Sequence, residues 1–196
     1  MNPASSIPKL HIWSNQLLFI GASPIPYRKH QVVSEKLMVS IQGEMTITLK
    51  NGNTLSTRSC LVKAGATFDD SYINANNATM AIYYLAPLTQ DYSALENIMT
   101  NAHEGLYYDH PQEDLLIETL TRIRNESLSP EQTYASLRDL IVHPDLRSTV
   151  FREFDTRIIT AVDRIRETVS LNLSVQQFAE EVCLSESRLE KLFKEQ

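Results

Sequence analysis

Glycine is scarce in this 196-residue chain, five in all. No G-x-G-x-x-G or P-loop spacing occurs among them, which excludes the glycine-rich cradles that hold nucleotide phosphates. Cysteine is scarcer still. Cys60 and Cys183 stand far apart with no Cys or His at metal spacing, so neither a disulfide framework nor a zinc finger is expected, and both thiols are expected to be buried or half-buried. No apolar run approaches the roughly 18 residues of a membrane span, and the opening MNPASSIPKLHIW has no basic stretch leading into an apolar one. The expectation is a cytoplasmic protein with no membrane partner. An excess of positive charge is also missing: the formal net charge is -6, so any contact with nucleic acid must be confined to a local patch.

What is present is an ordinary globular composition, 42% hydrophobic and 21% charged, long enough for one core and a small appendage. From about Ile12 to Pro87 short apolar or alternating runs are broken by turn residues. Leu37, Val39 and Ile41 fall on one face of a strand, as do Met45, Ile47 and Leu49, which predicts half-buried strands. Gln42-Gly43 and Asn51-Gly52 supply backbones that tolerate positive φ, so hairpins are the expected connections and a sandwich or barrel the expected form.

After Pro87 the period changes and the chain reads as all-helical. TQDYSALENIMTNAHEGLYYDHP reads as a helix and then a loop around Gly105. Leu115, Leu116, Thr119, Leu120 and Ile123 recur at helical spacing behind Pro111, with Glu113 and Asp114 in the first turn, where the helix dipole favours acids. A further helix is predicted from Pro130 to about Val142, with Tyr134, Leu137 and Ile141 inward and Pro144 beyond it. These apolar stripes suit a two-fold dimer contact and packing onto the barrel equally well.

The last segment carries the strongest signal. Ile158, Val162, Ile165 and Val169 form one helical stripe. Ser174 stands three residues before Gln177, a capping box that starts a helix with Phe178, Ala179 and Val182 inward. Ser185 then caps a second helix with Leu189, Leu192 and Phe193 inward and Ser187, Arg188, Glu190, Lys191 and Lys194 outward. Small Ala179 permits a close helix crossing, the layout of a helix-turn-helix.

These residues, RIITAVDRIRE and LSVQQFAEEVCLSESRLEKLFKE above all, resemble the AraC/XylS family of transcription regulators. The resemblance implies an α+β protein: a cupin-like, effector-binding barrel over residues 10–88, a helical linker and dimerisation region over 89–150, and the first half of an all-α DNA-binding domain over 151–196. The second helix-turn-helix unit that the family has is not among these 196 residues. It further implies that Ser187, Glu190 and Lys191 face bases, with Glu190 able to accept from cytosine N4 and Lys191 to reach guanine, while Arg188 and Lys194 hold phosphate. Cys183 stands where the family's turn usually has glycine. Six basic residues face eight acidic ones between Asp155 and Gln196, so the short chain is expected to bind promoter DNA weakly.

The barrel has two readings besides a sensor. A cupin-type metalloenzyme needs several histidines and a carboxylate on one ion, but His30 lacks a His-x-His partner, Glu35 follows only at an approximate spacing, and Phe68 falls where a second motif would place a histidine. Neither metal, cofactor nor catalysis is expected. An interaction module that only dimerises is the other. A sensor needs an apolar interior with a few orienting groups, and Trp13, Tyr27, Arg28, His30 and Tyr84 are the candidates for an unidentified small-molecule effector.

Overall fold

The computed structural model describes residues 7–13, 16–22, 34–49, 51–66, 72–75, 78–103, 105–142, 144–146 and 149–195. The chain divides into two compact units, Met1–Thr149 and Val150–Gln196.

Among the described residues the first unit contains ten strands: β1 (Lys9–Trp13), β2 (Gln16–Ala22), β3 (Lys36–Gln42), β4 (Met45–Thr48), β5 (Thr54–Thr57), β6 (Ser59–Val62), β7 (Tyr72–Asn74), β8 (Thr79–Tyr84), β9 (Asn101–His103) and β10 (Leu106–Tyr108). They form an antiparallel seven-stranded sheet in the order β1-β2-β8-β3-β6-β10-β9 and a three-stranded sheet in the order β5-β4-β7. The hairpin predicted at Asn51-Gly52 is present, joining β4 to β5, whereas the one predicted at Gln42-Gly43 is not: that turn carries the chain from β3 in the large sheet to β4 in the small one, and the two strands do not pair. Gly43 and Gly52 take positive φ at the turns after β3 and β4, the region that glycine enters without a Cβ clash.

The two sheets face each other across one core. Met38, Cys60, Val62, Met80 and Ile82 of the large sheet pack with Met45, Ile47 and Ile73 of the small one. Strand β3 corrects the half-buried expectation, because Leu37, Val39 and Ile41 are buried and so are Met38 and Ser40 between them. Its second face is covered because helices lie on the far side of the large sheet. Cys60 is sealed in the core, where burial pushes its thiol up to about 12. Cys183 is exposed instead of half-buried.

Those helices are α1 (Asp91–Ile98), α2 (Glu113–Asn125) and α3 (Pro130–Ile141). The all-helical reading after Pro87 needs correction, because the loop foreseen around Gly105 is a hairpin whose strand β10 pairs with β6 and completes the large sheet. Residues 89–149 therefore cluster with the sheets in one unit. Within α2, Leu116, Ile117, Leu120 and Ile123 are buried, whereas Leu115 is exposed. The α2 stripe is spent within the chain, against β3 and α3. Helix α3 opens on a full capping box, Ser129 with Gln132, with Pro130 in its first turn. Lys9 donates to the carbonyls of Ile123 (2.9 Å) and Glu126 (2.5 Å), placing a cation at the negative end of α2.

The second unit holds α4 (Thr156–Glu167), α5 (Val175–Glu181) and α6 (Glu186–Glu195). No helix among the described residues is long and apolar enough to cross a membrane.

Candidate functional site

The strongest site candidate is built on α5 and α6. Ser174 Oγ accepts from Gln177 N (3.3 Å) and Gln177 Oε1 accepts from Ser174 N (2.8 Å), so the capping box read from sequence starts α5. The helix stops in a Schellman turn: Leu184 N donates to Ala179 O (2.8 Å) and Cys183 N to Glu180 O (3.1 Å). Cys183 closes that turn at φ 55, the left-handed region that costs a side chain with a Cβ about 1 to 2 kcal/mol. Cys183→Gly is therefore expected to stabilise the second unit by roughly 0.5 to 1 kcal/mol once the looser unfolded chain is counted, and comparison of urea midpoints would detect it.

Ser185 caps α6, its Oγ accepting from Arg188 N at 3.3 Å. Ala179 is only 1% exposed and Leu189 and Leu192 are buried behind α6, as the close crossing requires. Ala179→Leu overpacks this crossing and is expected to cost about 1 to 3 kcal/mol. Hydrogen exchange over residues 174–194 should quicken while that of the sheets does not; unchanged protection there would refute the crossing.

Two sequence expectations for this unit need revision. The stripe on α4 is carried by Ile158 and Ala161, because the helix ends at Glu167 and Val169 lies beyond it, 84% exposed. Phe193 is also partly exposed. With Ile165, Val175, Phe178 and Leu189 it lines a surface groove of about 370 Å³, whose polar members are Glu190 and Lys194.

All five residues expected to meet DNA, Ser187, Arg188, Glu190, Lys191 and Lys194, are exposed on α6. Their electrostatic setting is mixed. Lys191 Nζ lies 3.7 Å from Glu195, an exposed pair that holds it only weakly. Asp155, at the start of α4, has its carboxyl held down to about 2, chiefly by hydrogen bonding from the Arg157 side chain and backbone, with a smaller attraction from Arg188. Arg164 bridges α4 to Glu181 of α5 at 3.0 Å, so its charge serves packing.

The second candidate lies between the sheets. Tyr84 points into that core, as strand alternation with Ile82 and Met80 requires. Beside it is a residue the sequence reading passed over. Lys36, the cross-strand partner of Tyr84, is 6% exposed, and its ammonium sits 5.6 Å from the Tyr84 ring centre. Burial pushes the Lys36 ammonium below its ordinary range. The signal was available in the phase of the strand, since Lys36 alternates with Met38 and Ser40. Trp13 is not part of this interior. Its indole donates to Pro130 O at 2.8 Å and packs on Tyr134, so it faces α3 on the opposite side of the large sheet. Tyr27, Arg28, His30 and Phe68 lie outside the described residues. Among the described residues no group of three His, Cys, Asp or Glu side chains converges as a metal site would require.

Two facing antiparallel sheets with helices on one side, and a second unit whose last two helices form a helix-turn-helix pair, make this an α+β chain. The fold is similar to that of an alanine variant of apo ToxT from Vibrio cholerae, at 11% identity and a TM-score of 0.53, over 92% of this chain and 75% of that one. The AraC-like transcriptional activator CuxR is similar at 13% identity and a TM-score of 0.49, over 92% and 71%. An RmlC-like cupin with a double-stranded β-helix fold from Methanocaldococcus jannaschii is similar at 16% identity and a TM-score of 0.33, over 44% and 86%. No family profile matches the sequence, and no curated protein matches it in sequence.

Proposed function

We propose that this chain is part of a non-enzymatic transcription regulator that reads DNA with α6 and binds a small effector between its sheets. The observation that carries the reading is the capped, tightly turned α5–α6 pair, which buries Ala179, Leu189 and Leu192 and leaves Ser187, Arg188, Glu190, Lys191 and Lys194 as one outward row. A helix so presented fits a major groove, with Lys191 and Glu190 reading base edges and Arg188 and Lys194 gripping phosphate. The effector reading rests on Lys36 and Tyr84: a buried ammonium beside an aromatic face on the inner side of the large sheet could orient a small molecule with an anionic head and an apolar body. The proposed regulator acts in the cytoplasm as a homodimer, which would bring two copies of α6 to one duplex.

Fluorescence anisotropy on duplexes selected from a random library tests the DNA reading. With few cations and acidic neighbours, the 196-residue chain should bind with a dissociation constant of roughly 10⁻⁴ to 10⁻⁶ M and a shallow salt dependence, a log-log slope of about −2. Arg188→Ala should lower the salt slope by about 1, and Lys191→Ala should weaken binding while relaxing preference at one base pair. Binding that ignores the simultaneous loss of Arg188, Lys191 and Lys194 would remove α6 as the reader.

A further inference from the structure

Strand β8 places Tyr83 and Tyr84 on opposite faces of the large sheet, one residue apart. On the inner face Tyr84 carries the Lys36 ammonium. On the outer face the Tyr83 hydroxyl donates to Gln16 Oε1 at 2.6 Å, and Gln16 Nε2 donates to Asp91 Oδ2 at 3.1 Å. The other Asp91 oxygen accepts from Arg138 of α3. Tyr83 also meets Trp13 edge-on, with ring centres 6.3 Å apart, and Trp13 donates to the first turn of the same helix through Pro130 O. These two polar ties from the strands to α3 pass beside Tyr83.

Gln16, Tyr83 and Asp91 are all buried, so water does not readily replace a hydrogen bond that breaks, and the network favours being made or rearranged as a whole. Lys36 and Tyr84 are direct partners across β3 and β8, and Leu37 and Tyr83 are the next pair. A shift of β8 that accommodates a change at Lys36 therefore displaces the Tyr83 hydroxyl, whose partner Gln16 is fixed to Asp91.

We infer that β8 is a relay in which the state of Lys36 between the sheets sets how firmly Asp91 and Trp13 hold α3. The inference rests on the effector reading for what alters Lys36 in use, but the coupling is testable without a ligand.

The experiment is hydrogen exchange over residues 131–141, with the emission of Trp13, the single tryptophan, as a second readout. Lys36→Met should quicken exchange in α3 by about fivefold or more. Tyr83→Phe removes the donor to Gln16 and should quicken it too. In the double variant Lys36→Met should add nothing further, because the relay is already cut. Ile47→Val, which loosens the opposing sheet, should leave α3 exchange as in the parent. Should Lys36→Met fail to fold, Tyr84→Leu perturbs the same contact.

An unchanged α3 in the folded interior variant, or effects of the two substitutions that multiply, overturns the relay. Titrating the parent with decanoate judges the effector reading apart from it. Coupled substitutions without decanoate binding support the relay and defeat that effector class. Decanoate binding with multiplying substitutions does the reverse.

Discussion

Asp91→Ala is expected to destabilise the first unit by about 3 kcal/mol, read as a lower urea midpoint at unchanged m-value with Trp13 emission as the probe. Asp91 is 3% exposed and is the shared acceptor of Gln16 and Arg138. Its removal leaves the Gln16 amide, itself buried, with a donor and no acceptor, at about 1 to 3 kcal/mol. Breaking a fully buried ion pair costs roughly 3 to 5 kcal/mol. The Arg138 side chain keeps 29% of its exposure, so its guanidinium regains water and the total falls toward the low end. Asp91→Asn keeps a carbonyl acceptor while discarding the charge and should cost about half as much. A loss under about 0.5 kcal/mol, the range of ordinary surface substitutions, would mean that the hub is decorative.

Acid is expected to unfold the same unit through His110. Its backbone N donates to Ser59 Oγ at 2.8 Å and its Nδ1 accepts from Gln112 N at 3.1 Å, which leaves the ring proton on Nε2. Nε2 is buried without a partner among the described residues, so nothing there compensates a positive ring. Burial pulls the imidazole down from 6.5 to about 4. Because the folded pKa lies below the unfolded one, the unfolded chain binds more protons between those values. The contribution is therefore complete above about pH 6.5 and is lost as the pH falls toward 4. One group shifted this far contributes about 3 kcal/mol over the window. His11, lowered by burial and then by Lys9, adds a loss of the same sign. Chemical denaturation of the parent and of His110→Asn at pH 7, 5.5 and 4.5 isolates the effect: the variant's stability should fall less across the series. Parallel curves would locate the acid sensitivity elsewhere.

The second unit was the more legible of the two, because its signals are local. A capping box links residues three apart, and Ser174 with Gln177 and Ser185 with Arg188 form in the structure as the spacing indicates. The α4 stripe was overextended, since periodicity alone does not mark where a helix frays, and Val169 kept the phase past Glu167. The strands of the first unit were legible for the same reason, yet their order was not. Strand β3 lies between β6 and β8, and β10 reaches back to β6, pairings that no local pattern encodes. Residues 101–108 were read as loop because two three-residue strands are too short to show alternation. Among candidate site residues, the α6 row lies outward as expected, while Trp13, an effector candidate chosen for its strand position alone, faces α3 on the far side of the large sheet. Its partner Gln16 and the pairing of Trp13 with it across β1 and β2 decide that side, and neither is visible before the register is known. Lys36 was missed because a lysine is ordinarily read as surface.

That interleaved strand order also bears on when each part of the chain can acquire its structure during synthesis. Strand β3 emerges early but finds β8 only after β4 to β7 have followed, and the sheet stays open at β6 until β10 arrives. In that interval β3 can pair with β6 and pack against β4 and β7, but its other edge lacks β8 and its outer face lacks α2, the situation in which nascent chains engage chaperones or misassociate. The second unit draws its contacts from neighbouring helices, and local contacts of this kind form fast. Sheet completion, rather than formation of α6, is therefore expected to be the slower step in folding the chain.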